Sequence, residues 1–338
     1  MSSQHTVVRL LDAFDDPACA PNTWDVLLPQ GDTDVVFLTS SWQHAWWDVF
    51  GRGRLLLLFV ERDNRPIALA PLFSDCGMVF FVGSGGSDYL DFVGDIGESD
   101  VLTALLRAAQ RHTPDFVGFR FFHVPDSSRT GDRLQAVADQ LGLVCFDEGN
   151  LPAPALDLRD DASAQAAPNK KSLRRHTNAL SRLGTVTVRH LRDAPAIREQ
   201  LAAFFSQHVA RWTETPYPSL FLDPQQRAFY EHMTEAGCRA GWLRFCRIDV
   251  NGAPVAFHLG SCYKGRYLWY KPTFDVELAK YSPGEVLLRH LLLAAIDEGA
   301  HTFDFGLGDE LFKQRFASHT PRVRTWGLYP RGQRWVVF

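Results

Sequence analysis

No surplus of positive charge runs through this chain: 35 lysines and arginines face 39 aspartates and glutamates among 338 residues, a net charge of −4. A protein that grips nucleic acid over its whole surface is excluded, and any such partner must use a local patch. Closely paired cysteines are missing as well. Cys19, Cys76, Cys145, Cys238, Cys246 and Cys262 form no C-x-x-C and no metal-ligand spacing, so neither a disulfide framework nor a metal site is expected and the thiols read as reduced. The opening MSSQHTVVRL has no charged stretch followed by an apolar run, and the longest apolar stretch, residues 286–296, is broken by Arg289 and His290. That is far short of the ~20 residues of a spanning helix. The expectation is a cytoplasmic protein, with contact at the inner membrane surface left open. Also absent are G-x-x-x-x-G-K-[ST], G-x-S-x-G, H-E-x-x-H and a strand-linked G-x-G-x-x-G, which removes the nucleotide-binding and hydrolytic classes those motifs mark. Residues 83–87, G-S-G-G-S, follow a strand without opening a helix and read as a loop.

What is present fits two ordinary folded domains. Hydrophobic residues make up 46% and charged ones 22%, a globular balance, in a chain about twice a typical domain length. R-P-I-A-L-A at 65–70 recurs as A-P-V-A-F-H at 253–258, and H-T-P-D-F from His112 recurs as H-T-F-D-F from His301. Two matches at nearly one offset point to a duplication. In the first copy, 55–61 and 66–73 read as a hairpin turned at Asp63-Asn64-Arg65, then a helix over 100–111 and a strand over 116–124. The second copy repeats the order with strands at 242–249, 254–262 and 266–274, a helix over 285–298 and a strand at 302–305. Residues 159–168, rich in Asp, Ala and Gln, read as a linker, which gives domains of 1–155 and 156–338.

Four segments could carry chemistry, all in the second half. Residues 281–295, Y-S-P-G-E-V-L-L-R-H-L-L-L-A-A, join a strand end to a helix apolar almost all round, which must be buried. Ser282 suits the N-cap, Pro283 the first helical position and Gly284 a close backbone approach. Such a start offers unpaired N–H groups and a positive dipole end to a phosphate, beside the plainer reading of a capped helix. The matching first-copy segment carries Asp95, Glu98 and Asp100 and would repel one. If Lys264-Gly265 is a two-residue turn, Tyr263 faces Arg266, His258 faces Lys271 and Gly260 faces Trp269. A neighbouring ammonium favours the neutral imidazole, which makes His258 a candidate base beside the plainer reading of a core histidine; the first copy has Ala70 there. Asp304, with Asp115 as its counterpart, lies in a short strand, and Gly306 and Gly308 lead out beside Asp309, Glu310 and Lys313, the last two spaced as a surface pair. Residues 169–184, N-K-K-S-L-R-R-H-T-N-A-L-S-R-L-G, read as a basic helix stopped by Gly184 at C′, either a solvated face or an anion-attracting arm. The aromatic groups Trp42, Trp46, Trp47 and Trp212, Tyr217, Phe221 read as core or cleft wall.

The order P-V-A-F-H-L-G, Y-L-W-Y-K-P-T-F-D, Y-S-P-G-E-V-L-L-R-H-L, F-D-F-G-L-G-D-E-L-F-K-Q-R-F resembles the CelD/BcsL-type acetyltransferases of the GNAT superfamily, tandem GNAT proteins related to the Fem-type peptidoglycan aminoacyl transferases. Weaker matches upstream, L-T-S-S-W-Q-H-A-W-W, A-P-L-F and D-Y-L-D-F, extend the resemblance over most of the chain. It implies a mixed α/β (α+β) fold of two GNAT domains, each a twisted mixed sheet flanked by helices, the first degenerate and the second holding the acyl donor. It implies acyl transfer from acyl-CoA, acetyl or longer, to a primary amine, without a metal. The pantetheine arm would lie between strands 267–274, Tyr270 included, and 302–305, with the pyrophosphate at Ser282, Pro283, Gly284, Glu285 and Val286 and with Lys313 nearby. His258, Asp304 and Glu310 are then rival bases, and Lys271 tunes His258 or touches substrate. Trp269, Trp212 and Phe221 would wall a lipid chain, and Arg175 with Asp88, Tyr89 and Asp91 of the first copy would contact the acceptor. The chain offers K-Y-S-P-G-E where GNAT proteins carry Q/R-x-x-G-x-G/A.

Three functions stay open on sequence. The first is an acyl-CoA N-acyltransferase acting on an amino sugar, a cell-envelope precursor or a lipid base, small or lipid-linked. The second is an aminoacyl-tRNA-dependent transferase, favoured by the basic run from Lys170 to Arg182. The third is a tandem-GNAT module that binds without turnover. Nucleic acid enters only as tRNA under the second, and the oligomeric state is not specified.

Overall fold

The computed structural model describes residues 6–213 and 215–332. Two compact units divide the chain: Met1–Pro152 with Pro321–Phe338, and Ala153–Thr320. The first contains strands β1 (Thr6–Leu11), β2 (Arg54–Arg62), β3 (Arg65–Asp75), β4 (Met78–Phe81), β5 (Val93–Gly94), β6 (Gly118–Pro125) and β7 (Leu143–Pro152), with helices α1 (Pro21–Trp24), α2 (Ser40–Phe50), α3 (Ser99–His112) and α4 (Thr130–Ala138). The second contains β8 (Ala155–Asp157), β9 (Val186–Leu191), β10 (Leu243–Val250), β11 (Ala253–Tyr263), β12 (Arg266–Phe274) and β13 (Thr302–Asp304). Its helices are α5 (Asp161–Ala166), α6 (Lys171–Ser181), α7 (Ala194–Trp212), α8 (Pro224–Arg239), α9 (Pro283–Asp297) and α10 (Leu311–Gln314). The chain then returns to the first unit as β14 (Arg322–Pro330).

The strand orders are β1-β2-β3-β4-β6-β14-β7, with β5 on β3, and β8-β13-β12-β11-β10-β9. Each sheet is antiparallel except for one parallel pair, β4 with β6 and β12 with β13. The two parallel pairs occupy matching places, and so do the hairpins. In β2–β3 the register slips between Val60↔Ala68 and Glu61↔Pro66; in β10–β11 it slips between Ile248↔Ala256 and Asp249↔Pro254, the same pairs 188 positions on. Asp63 and Asn64 turn the first hairpin with positive φ, as Asn251 and Gly252 turn the second. Cys76-Gly77 and Lys264-Gly265 likewise turn β3 into β4 and β11 into β12. A β-bulge shared at one offset is a strong mark of duplication, because a slip of one residue turns every later side chain to the other face.

Sequence logic accounts for the helices that flank the site. Asp193 caps α7 by accepting from Ala196 N–H, and Asp223 caps α8 by accepting from Gln225 N–H, each with proline in the first turn. In α9 the side chains of Val286, Leu287, Leu288, Leu291, Leu292 and Ala295 are buried, as the apolar run required. Together with α6 they pack on one face of the second sheet. Phe204 of α7 meets Phe245 and Phe257 on the other face. Among the described residues no helix is long and apolar enough to cross a membrane, and all six cysteines are free.

Several sequence expectations need correction. The domain boundary falls at Pro152/Ala153, and residues from Pro321 on belong to the first unit, since β14 pairs with both β6 and β7. The stretch 159–168 is not a linker: it holds α5, and Ala164 and Ala167 are buried in the second core. Helix α6 stops at Ser181, and Gly184 lies beyond it at φ +156, where a Cβ would meet the Asn251 side chain. The match of Asp115 with Asp304 does not survive. Met78 pairs with Gly118 as Arg266 pairs with Thr302, which sets Asp304 level with Arg120, while Asp115 sits in a turn at φ 50.

Candidate active site

From its turn the β11–β12 hairpin runs as expected through Tyr263↔Arg266, Cys262↔Tyr267 and Ser261↔Leu268, and then slips, so that Leu259 pairs with Lys271 and His258 with Pro272. His258 therefore does not face Lys271. The slip is a bulge in which Gly260 stands opposite Trp269 and Tyr270. A Cβ at Gly260 would come within 2.3 Å of Leu268 O and 2.4 Å of His258 Cε1, so only glycine fits. At the bulge His258 Nε2 accepts the Tyr270 N–H at 3.2 Å. That bond fixes the tautomer, with the proton on Nδ1. The ring is fully buried, stacked on Trp269 at 5.4 Å, and burial pushes its pKa down to about 3. An imidazole whose lone pair is held by a backbone amide positions the strand. It is not a free base.

Past Leu268↔Asp304 the parallel pair ends: β13 stops and β12 continues to Phe274. The far end of β12 reaches the start of α9, where Phe274 lies against Gly284. Ser282 occupies the N-cap position in the left-handed conformation at φ 54, and its side chain caps nothing. Its carbonyl takes Glu285 N–H at 3.0 Å and Val286 N–H at 3.2 Å. Pro283 has no N–H, so Gly284 supplies the remaining first-turn donor. Gly284 also has a packing reason to be small, because a Cβ would lie 3.0 Å from Phe274 Cδ1. Glu285 brings a carboxylate to this turn, where Arg315 Nη1 meets it at 2.7 Å and His176 Nε2 at 3.5 Å. Val286 is buried in the core. Arg175 is exposed on α6, with Lys171 and Arg174.

The other predicted residues divide. Asp304 is fully buried, accepts Gly306 N–H at 2.8 Å and pairs with Arg266 Nη1 at 2.9 Å, so its carboxylate fastens the end of β13. Lys313 is not a surface residue: its ammonium is buried, 2.8 Å from Glu310 and 2.6 Å from Leu307 O, holding the glycine-rich exit in place. Glu310 keeps half its side chain in solvent. Trp269 lies on the α9 face with Phe312, whereas Trp212 and Phe221 both pack against His208 of α7, with Phe221 wholly buried. These three rings therefore do not form one wall. Lys271 lies with its ammonium 4.0 Å over the Tyr270 ring. Among the described residues no cluster of three or more His, Cys, Asp or Glu is placed to hold a metal.

In the first unit the corresponding opening is filled by its own chain. Beyond Val79↔Phe119 the strands part, and the segment after β4 enters: Leu90 N–H donates to His123 O at 3.1 Å, and His123 Nδ1 meets Ser87 O at 2.8 Å. Asp91 is buried among Thr33 Oγ1, Thr130 Oγ1 and Phe92 N–H, and burial raises its pKa against the pull of those donors. Tyr89 is buried with its ring edge on Phe37, and Asp88 is half-buried. At the start of α3, Glu98 is paired with Arg62 at 2.8 Å and Asp100 lies in the first turn.

Sequence reasoning missed Arg211. It is the last basic residue of α7, its Nη1 donates to Pro272 O at 2.8 Å, and its guanidinium lies 4.4 Å over the Phe274 ring. The signal was a cation beside Trp212 at the end of a long helix, which is meaningful only once α7 is known to lie on β12.

Residues 168–314 match the family described as acetyltransferase (GNAT) domain. No curated protein matches the chain in sequence. Among solved structures, FemX is similar at 13% identity over 91% of this chain and 95% of its own, with a TM-score of 0.66. L-PGS from Bacillus licheniformis is similar at 15% identity over 94% and 93%, TM-score 0.58. A tandem GNAT protein from the clavulanic acid biosynthesis pathway is similar at 12% identity over 96% and 98%, TM-score 0.52. At such identities the likeness is one of fold. The chain thus has the fold of the tandem GNAT proteins, two twisted mixed sheets flanked by helices, and its residues 168–314 are similar to the acetyltransferase (GNAT) domain.

Proposed function

We propose that the second unit is an N-acyltransferase that takes an acyl group from acyl-CoA and delivers it to a primary amine. The observation that carries this reading is a parallel pair that ends after three residues while one strand, β12, runs on to the start of a buried helix. Backbone N–H groups of β12 beyond Leu268 are the candidate donors to the oxyanion of the tetrahedral intermediate. The attacking amine must lose a proton. His258 and Asp304 are buried and occupied; Glu310, paired with Lys313 but half in solvent, is the remaining candidate carboxylate.

Calorimetric titration with CoA, acetyl-CoA and a long-chain acyl-CoA tests this. Gly284→Asp is a poor control because its Cβ would crowd Phe274. Ser282→Asp is better: aspartate is at home at an N-cap and tolerates left-handed φ, yet it repels a pyrophosphate. Micromolar binding to the native chain, lost in Ser282→Asp, is expected. Absence of binding to all three donors sinks the acyl-CoA reading.

A second reading, transfer from aminoacyl-tRNA, is favoured by Glu285 in the first turn of α9, where a pyrophosphate would meet a carboxylate, and by the exposed Lys171, Arg174, Arg175 and Arg182. Likeness in fold to FemX and to L-PGS is in keeping with it. It requires tRNA binding whose affinity falls steeply with salt, a dependence that the acyl-CoA reading does not predict.

A further inference from the structure

We propose that helix α6 docks the protein on a membrane, its exposed ridge of Lys171, Arg174, Arg175 and Arg182 lying on the headgroups of an anionic bilayer. The inference does not depend on the acyltransferase reading. Residues 162–192 contain seven lysines and arginines and no aspartate or glutamate, in a chain that carries 39 acids and a net charge of −4. The helix gathers much of this charge on one side. At 3.6 residues per turn Lys171, Arg175, Asn178 and Arg182, spaced i, i+4, i+7 and i+11, fall in a stripe about 60° wide, which Arg174 flanks. All five are exposed, while Leu173 and Leu180, wholly buried, lie on the opposite side. The stripe is a straight ridge about 16 Å long. Among the described residues no carboxylate pairs with its four cations. Arg189 and Arg192, next in the chain, are by contrast matched by Asp249 at 3.6 Å and Glu298 at 2.8 Å.

Folding does not account for this arrangement. Lys171 stands i, i+3 from Arg174 and i, i+4 from Arg175, the spacings at which like charges weaken a helix. An extended anionic surface relieves that repulsion. The form of the ridge favours a bilayer over a nucleic acid. It is convex, and residues 162–192 hold no Phe, Tyr or Trp, although aromatics make up 12% of the chain. Surfaces for single-stranded nucleic acid interleave cations with aromatic rings that stack on bases. Clusters of roughly four to eight lysines and arginines on one side of a helix suit a plane of anionic headgroups. On its flank α6 also reaches the candidate active site: His176 Nε2 lies 3.5 Å from Glu285 of α9, and Ser172 Oγ accepts from Arg315 Nη2 at 3.0 Å. A bilayer on the ridge therefore lies within about 12 Å, one helix diameter, of the first turn of α9. Docking by α6 holds that turn at the headgroup layer.

The test uses the full chain without an acyl donor. Flotation with vesicles of equal parts phosphatidylglycerol and phosphatidylcholine is compared with flotation on phosphatidylcholine alone. Binding is expected on the anionic vesicles only. It should fall steeply with salt, because the screening length drops from roughly 30 Å at 0.01 M to roughly 8 Å at 0.15 M. Lys171→Gln, Arg174→Gln, Arg175→Gln and Arg182→Gln combined should weaken it by about a hundredfold or more. Arg65→Gln, Arg111→Gln, Arg239→Gln and Lys264→Gln combined remove the same charge from exposed positions outside α6 and should weaken it by a few-fold at most. Equal binding to both kinds of vesicle, no binding to the anionic ones at low salt, or equal loss in the two four-site variants overturns the docking surface. So does tighter binding of bulk tRNA than of anionic vesicles at physiological salt, which would make the ridge a nucleic-acid contact. If the α6 four-site variant does not fold, Arg175→Glu decides: reversing one charge in the middle of the ridge should weaken vesicle binding about tenfold, and an unchanged affinity overturns the proposal. Transfer between soluble substrates bears on the acyltransferase alone, and vesicle binding bears on the ridge alone.

Discussion

His258 is a buried ring whose one lone pair is taken by a backbone amide, and both properties can be read in solution. His258→Ala removes the acceptor of the Tyr270 N–H and empties a fully buried site, which should cost about 1–3 kcal/mol of unfolding free energy in a urea titration. If His258 were the base, its removal would lower turnover by about 10²–10⁴ and erase the acid limb of the pH–rate profile. The profile is instead expected to keep its shape. Acid stability follows from the same burial. His258 and His208 are held at about 3 and His290 at about 4. The unfolded chain binds protons at these positions from about pH 6.5 downward while the native chain does not. Their contribution is therefore complete above pH 6.5 and shrinks as pH falls toward the native values, by about 2 kcal/mol per imidazole between pH 6.5 and 5. A stability that is flat over that interval would mean that the three rings are not buried.

At the scale of elements, one glycine governs the geometry of the opening. Gly260→Ala should prevent the bulge, since its methyl would overlap Leu268 O and the His258 ring. The expected outcome is a loss of about 1–3 kcal/mol or more, seen as a lowered Tm, together with loss of acyl-CoA binding. Glu285→Gln probes the neighbouring element. Removing the carboxylate from the α9 first turn should raise acyl-CoA affinity several-fold at low salt, with the gain fading as salt is added, while loss of the Arg315 ion pair changes stability by less than about 1 kcal/mol. Elements of this kind were legible in the sequence where local rules govern: the hairpins with their turn residues, the buried α9 and the strand at 302–305 all stand where spacing and turn chemistry put them. The bulge was not legible. Strict alternation from the Lys264-Gly265 turn gives His258 opposite Lys271, and the one-residue slip that moves it to Pro272 depends on His258 filling a gap that exists only after the sheet has formed. Arg211 was hidden for a similar reason, because its surroundings come from β12, some sixty residues later in the sequence. The false match of Asp115 with Asp304 shows the opposite error, a local string repeated without shared register.

Across the whole molecule, the second unit is inserted between two strands of the first. β14 lies between β6 and β7 and pairs with both, from Val323↔Pro125 and Arg322↔Pro152 onward. A fragment ending at Pro152 would lack the strand that joins them and leave two long edges unpaired, so it should be insoluble or unfolded by circular dichroism. A fragment of residues 153–320 keeps every strand of its own sheet. It should give a cooperative thermal transition, and failure to do so would show that the second unit depends on the first.

This connectivity also sets an order of events during synthesis. The N-terminal sheet waits for β14, which emerges only after all of residues 153–320, about ten to thirty seconds of translation at ordinary rates. Through that interval the β6 and β7 edges are open to wrong partners, while the inserted unit already has everything it needs to close. The half of the protein made first is the half completed last, and chaperones acting on this chain should be found on its N-terminal sheet.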